Sequence, residues 1–275
     1  MFSIPLNPKM DEKLFEEFKE FLVTYKDYIY DFYFTCRMPP FIQDAMGDVF
    51  MGGEEDHNYL ISMALHIQEE TGITASAVFN NIYVRPSQDN LDLFINNFKQ
   101  LYDAGIKSVT LPHTHWVATG QIQKEFPDLF IKNTILRNVS EARDIAHLAK
   151  AGFHYINLDR DLMRDHEKLK YISKAAKKYG VKLSLLANEG CLGGCPMMDE
   201  HYQFNNTRGQ TPQYFTDPIS RVSCTKWDAE DQSVALKTAN FPPWKEDWDQ
   251  FLNELGIDVI KMHGRESTSR LRETM

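Results

Sequence analysis

Cys191 and Cys195 lie in the run Asn188-Glu-Gly-Cys-Leu-Gly-Gly-Cys-Pro-Met-Met-Asp-Glu-His-Tyr202, with Gly193 and Gly194 between them. A three-residue spacing holding two glycines makes a turn tight enough for both sulfurs to face one metal. Cys36 closes a predicted strand, and Cys224 falls in a long excursion, 196–232, that can fold back over the same end of the molecule. Four thiolates brought to one point are the ligand set of a 4Fe–4S cluster or of a structural zinc. A C-x3-C pair is not the commonest zinc spacing, and four unrelated buried thiols are the plain alternative. The C-x3-C-x2-C run of adenosylmethionine radical chemistry is absent.

Other groups with chemical potential end short apolar runs. They are Arg37 beside Cys36, Asn80, His113 with His115, Asp159 with Arg160, Asn188 with Glu189, and His263 flanked by Lys261 and Arg265. Glu189, His201 and His263 have the side chains of a general acid or base. Arg37, Asn80, His113, His115, Asp159, Arg160, Lys261 and Arg265 are suited to holding a substrate, and the cations among them to an anionic one. A His-x-His pair on an extended segment puts both rings on one face, as two metal ligands would need. For any one of these residues a solvated strand end, or a helix cap in the case of Asp199 and Glu200, explains as much. Convergence of the whole set on one mouth is the reading the pattern favours. Nothing resembles a phosphate loop or a G-x-S-x-G elbow.

The elements that must position these residues recur as helix, glycine, short apolar strand. Gly72, Gly105, Gly152, Gly180 and Gly256 end helical segments, where glycine takes the left-handed conformation without a side-chain clash. Strands are predicted at Phe2–Leu6, Tyr28–Thr35, Ile73–Phe79, Ser108–Leu111, Phe130–Leu136, Tyr155–Leu158, Val181–Ala187 and Asp258–Met262, with Leu236–Asn240 as a ninth candidate. Helices are predicted at Lys9–Tyr25 and His57–Glu70, and an irregular loop at Met38–Glu55. Strands apolar on both faces and alternating with helices pair in parallel through right-handed crossovers. Eight of them close a TIM-like (β/α)8 barrel, with a doubly wound sheet as the rival. Residues 1–275 then form one barrel domain, with a cysteine-bearing loop 188–232 over its C-terminal face and a short or incomplete last helix. In a barrel the residues above fall at that face, where this fold keeps its chemistry.

The totals fit. A chain of 275 residues suits one α/β barrel of about 250. A net charge of −9 argues against a protein built mainly to grip a phosphate backbone. It favours a small-molecule substrate or one presented by a protein partner. No run approaches the ~18 apolar residues of a membrane span, and the N-terminus lacks the build of a signal peptide, so the cytoplasm and reduced thiols are expected.

The segment Leu255-Gly-Ile-Asp-Val-Ile-Lys-Met-His-Gly-Arg265 resembles the "aGvdslKIEGR" segment of the collagenase-like peptidase family U-32. Ile156-Asn-Leu-Asp-Arg-Asp-Leu162 resembles that family's "vvLsREL" strand end. Val181–Cys195 takes the place of its strand leading to a first cysteine pair, and Cys36-Arg37 looks like the arrangement in its ubiquinone-biosynthesis branch. The resemblance implies a barrel-like catalytic domain. In several branches it also implies a four-cysteine 4Fe–4S cluster that supports oxygen-independent hydroxylation of a quinone precursor or of RNA bases. Other members are described as proteases. Carried over, the cluster ligands are Cys36, Cys191, Cys195 and Cys224, with Arg160, Lys261 and Arg265 in the pocket. This chain departs from the pattern in three places. His263 stands where the family has glutamate, Glu189-Gly190 replaces His-Gly, and its cysteine spacing is shorter. A peptidase and a zinc-binding scaffold without catalysis are the alternatives.

Overall fold

The computed structural model describes residues 1–8, 11–42, 54–187, 198, 199, 202 and 248–263. Within them eight parallel strands close a barrel: β1 (Phe2–Pro5), β2 (Ile29–Thr35), β3 (Ala75–Val78), β4 (Ser108–Leu111), β5 (Phe130–Asn133), β6 (Tyr155–Asn157), β7 (Lys182–Ala187) and β8 (Val259–Met262). Each pairs with the next in sequence, and β8 returns to β1 through Phe2–Ile260 and Ser3–Lys261. The doubly wound alternative is thereby excluded. Around the barrel run α1 (Glu12–Thr24), α2 (Glu54–Thr71), α3 (Gln88–Asp103), α4 (Thr114–Ala118), α5 (Gln121–Glu125), α6 (Ala142–Ala151) and α7 (His166–Tyr179), with a π-helical turn at Gln250–Glu254 before β8.

Local chemistry sets the helix ends. The side chains of Asp11, Ser87 and Asp165 accept from the backbone N–H of Leu14, Asn90 and Lys168, supplying donors at the first turn with a partner. At the other end the five predicted glycines all have φ between +67° and +113°. Most predicted strands overrun the observed ones by one to three residues, and at two of them the physical reason is plain. Tyr28 belongs to a 3₁₀ turn, Lys26–Tyr28. β5 stops at Asn133 because the Thr134 hydroxyl accepts from Leu136 N–H and starts another, Ile135–Arg137. Leu236–Asn240 and the chain after His263 lie outside the described residues.

Strand register sorts the side chains into two sets. The first set packs against the helices and is apolar: Ile4, Phe32, Phe34, Ala77, Val109, Ile131, Ile156, Leu183, Leu185 and Ile260 join one core with the inner helix faces. The second set shares the other face through the pairs Ser3–Asp31, Tyr33–Ser76, Ser76–Ser108, Thr110–Lys132, Lys132–Tyr155, Asn157–Ser184 and Leu186–Lys261. Asp31 and Lys132 form a buried ion pair although β2 and β5 are not neighbours in the sheet, so this second face lines the lumen. The strands are therefore not apolar on both faces as the sequence suggested. Their inner face is rich in hydroxyls and charge.

Candidate active site at the C-terminal rim

At the end of β2, Cys36 is sealed from solvent, and its N–H donates to Val78 O at 3.1 Å, continuing the β2–β3 ladder by one residue. Burial pushes its thiol well above the usual range, against a weak opposing contact with the Met38 backbone. A free nucleophilic cysteine needs an accessible thiolate in electropositive surroundings. Cys36 has neither, whereas a metal draws the proton from a buried thiol ligand on binding. Arg37, the next residue, is half-buried.

His113 caps α4 just beyond β4 and is 2% exposed. Arg137 Nη2 donates to its Nδ1 at 2.8 Å, and Arg137 Nε donates to Pro112 O at 2.7 Å. A guanidinium has no acceptor, so this contact fixes the neutral imidazole with its proton on Nε2. Burial, then the charge of Arg137, pushes the ring down to about 4. The two rings do not share one face as an extended His-x-His segment would place them. The chain leaves the strand after Leu111, and His115 falls in the first turn of α4, exposed and on a different face from His113. Arg137 was missed in the sequence although it directly follows the predicted strand Phe130–Leu136, since its role arises only through the β4–β5 neighbourhood.

Asn80 is half-buried, while the working amide in that loop is its neighbour Asn81. Asn81 Nδ2 donates to Ile42 O at 2.8 Å, and its Oδ1 accepts from Tyr83 N–H, pinning the chain after β2 against the chain after β3. Asp159 turns out to be a cap. Its carboxylate accepts from Asp161 N–H at 2.8 Å, and its own N–H donates to Val139 O. The neighbouring Arg160 is 2% exposed and turns into the rim. There Nη1 donates to Met198 Sδ at 2.8 Å and Nη2 to Tyr202 Oη at 3.4 Å. On the β3 side, Tyr83 Oη donates to Asp199 O at 2.8 Å.

Deeper in the mouth, Lys261 Nζ lies 4.3 Å from the centroid of Tyr33, whose hydroxyl donates to Met262 O. Beside them Asn133 and Asn157 exchange side-chain to backbone bonds of 2.6–3.1 Å, replacing the ladder where β5 and β6 part, and Ser184 Oγ donates to Asn157 Oδ1. His263, half-buried, continues the β7–β8 ladder through its N–H to Ala187 O. Glu189, Cys191, Cys195, His201, Cys224 and Arg265 lie outside the described residues, as does Asn188.

Cys36, His113, Arg137, Arg160 and the pair Lys261 and His263 thus stand at the C-terminal ends of β2, β4, β5, β6 and β8, with His113 and Arg137 in direct contact. Among the described residues no three His, Cys, Asp or Glu side chains form a metal-binding group. Cys36 packs in the apolar core with Phe32, Phe34 and Phe41, while Arg160 and Lys261 are buried cations of the barrel's C-terminal end. No helix among the described residues is long and apolar enough to cross a membrane.

No family model and no curated protein matches the chain. Among solved structures, the U32 peptidase Mk0906 is similar over 96% of this chain and 93% of that one, with a TM-score of 0.62 at 11% sequence identity. An HpcH/HpaI aldolase from Desulfitobacterium hafniense DCB-2 is similar over 99% and 88% with a TM-score of 0.45 at 10% identity. A deoxyribose phosphate aldolase from Aeropyrum pernix follows over 67% and 74%, with a TM-score of 0.42 at 12% identity. The chain has a (β/α)8 barrel fold like that of a U32 peptidase. At these identities the likeness concerns the fold.

Proposed function

We propose that the chain is a U-32-like barrel enzyme that holds a 4Fe–4S cluster on Cys36, Cys191, Cys195 and Cys224 and carries out an oxygen-independent hydroxylation, or a related redox modification, of a small aromatic or RNA-borne ring. One observation carries this reading. The connection 188–197, which contains Cys191 and Cys195, has both its described ends on the C-terminal rim, at Ala187 closing β7 and at Met198 on Arg160. Cys191 follows Ala187 by four residues, a reach of up to about 14 Å. From β7 to Cys36 on β2 is three strand spacings, roughly 14 Å. Chain length therefore allows Cys191 to approach the end of β2, which supports the shared-ligand reading.

When bound, the cluster would relay single electrons. Hydroxylation without oxygen takes its oxygen atom from water and passes two electrons, one at a time, to an external acceptor, with two protons released. The chain's own residues supply placement: Lys261 and Arg160 set positive charge beside an anionic or carbonyl-bearing ring, and His113, held neutral, keeps an N–H donor at the rim. The net charge of −9 supports a small molecule, or a substrate brought by a protein partner, over direct grip on a long nucleic acid.

Purification without oxygen tests the reading. Iron and sulfide in about equal amounts, with broad visible absorption, are expected. Cys191→Ser or Cys195→Ser should abolish metal retention. Zinc in a colourless protein would replace the reading with a structural site, and unchanged metal in the serine variants would overturn the ligand assignment. The likeness to a U32 peptidase favours proteolysis as a second reading, although the sealed Cys36 thiol and the Arg137-bound His113 are poorly suited to it. Cleavage of casein or denatured collagen by metal-free protein would establish it.

A further inference from the structure

We propose that the outer wall formed by α6 and α7 is a docking surface for an anionic lipid leaflet, which the protein meets from the side. Leu169, Ile172 and Ala176 bury one face of α7, and the helical period then turns Tyr171, Lys174, Lys177 and Lys178 outward together. On α6, Ile145 and Leu148 face inward, while Arg143 and Lys150, two turns apart, project into solvent. The two helices pack against each other, so the wall carries two cationic rows about 8–10 Å apart.

The acids of this wall are few and mostly engaged. Lys168 bonds Glu141 at 2.7 Å, Lys170 bonds Glu167 at 2.6 Å, and Arg143 lies 3.9 Å from Asp144. Lys150, Lys174, Lys177 and Lys178 have no ion-pair partner among the described residues. The chain as a whole carries −9, and one row of its acids, Glu12, Glu16 and Glu20, projects from α1. That helix joins β1 to β2, across the barrel from α6 between β5 and β6. A barrel's width exceeds the ~8 Å over which exposed charges are screened at physiological salt. A surface touching the α6–α7 wall therefore senses the lysines and not the acids of α1, and the separation orients the approach.

The shape of the wall selects the partner. Single-stranded nucleic acid is held in a groove by successive stacking rings. Here the cations stand on an outer wall, and Tyr171, 68% exposed, is the one large apolar side chain that projects from these two helices. Clusters of about four to eight lysines and arginines on an amphipathic helix bind anionic headgroups, and tyrosine settles at headgroup level. The inference is independent of the iron–sulfur reading.

The test uses the full chain, with or without bound metal. Wild type, the pair Lys174→Gln with Lys178→Gln, and the pair Lys174→Arg with Lys178→Arg are sedimented with vesicles. The vesicles are phosphatidylcholine alone or with about 30% phosphatidylserine. Wild type should sediment with the anionic vesicles at about 0.1 M salt, stay in solution with the neutral ones, and be released at about 1 M. The glutamine pair should bind roughly 25-fold more weakly, about fivefold for each lysine lost, and the arginine pair as wild type does. Thermal unfolding followed by circular dichroism checks that all three proteins are folded alike. Absence of sedimentation with anionic vesicles, or equal sedimentation with neutral ones, would overturn the proposal. Wild-type binding by the glutamine pair would remove it from this wall. Release of the protein from the vesicles by a single-stranded RNA oligonucleotide, with tighter binding to that RNA, would assign the wall to nucleic acid instead and overturn the lipid assignment.

Discussion

Burial and the guanidinium of Arg137 hold His113 down to about 4, against an ordinary value of 6.5. Between those two values the unfolded chain takes up a proton that the folded protein refuses. The stabilising contribution is therefore present above 6.5 and is lost as the pH falls toward 4. Urea titrations across this window should show wild-type stability falling faster than that of His113→Gln, by a difference on the order of 2 kcal/mol. Parallel slopes for the two proteins would disprove the assignment. His113 was legible from its place after an apolar run, as was Arg160, because a polar residue two or so positions past a buried strand has little choice but the rim. Arg137 and Asn81 were not. Each acts by reaching a backbone carbonyl or ring from a different strand's loop, and that adjacency exists only once the barrel is closed. Asp159 shows the reverse case, since an aspartate at a strand end reads as a binding group and serves here as a cap.

The helix-to-strand junctions were readable because glycine at a left-handed position leaves a mark that other residue types rarely imitate. Two of these junctions make different demands. Gly180 has φ +68° and nothing within 4 Å of an added Cβ, so Gly180→Ala meets backbone strain alone, about 1 kcal/mol. Gly152 has φ +108°, and an added Cβ would come within 2.3 Å of Gln123 Nε2. That amide already donates to Val117 O and Ala151 O, so Gly152→Ala must also displace a bridge between the α4–α5 and α6 ends. Chemical denaturation should place Gly152→Ala at roughly 2–3 kcal/mol below wild type and clearly below Gly180→Ala. Equal losses would show that Gln123 gives way freely. The strand ends were less readable than the glycines. Ile135 and Leu136 look like more of β5, and only the hydroxyl of Thr134, turned back on the backbone, stops the strand.

Closure of the barrel gives this molecule its least expected feature, a lumen with charge at its centre. Short apolar runs predicted strands buried on both faces, and the outward face bears that out. The inward face holds Ser3, Asp31, Ser76, Ser108, Thr110, Lys132, Asn157 and Ser184, all buried. Single serines inside an apolar run carry no sign of which face they take, and a lysine 101 residues from its aspartate gives no local hint of pairing. Asp31 accepts from Ser3 Oγ at 2.5 Å and from Lys132, whose ammonium also lies 4.8 Å from the Tyr155 ring. The pair joins β2 to β5 across the lumen, so it is a cross-brace for the whole barrel rather than for one strand pair. Lys132→Met leaves the Asp31 carboxylate buried without its counter-charge and should cost about 3–5 kcal/mol. Asp31→Asn combined with Lys132→Met removes both charges while keeping an acceptor for Ser3, and should recover most of that loss. Urea unfolding of the wild type, both single variants and the double variant closes the cycle. Strong coupling, with the double variant more stable than Lys132→Met alone, is the expected result. Additive losses would mean that the two charges do not sense each other through the lumen, and the cross-brace would have to be abandoned.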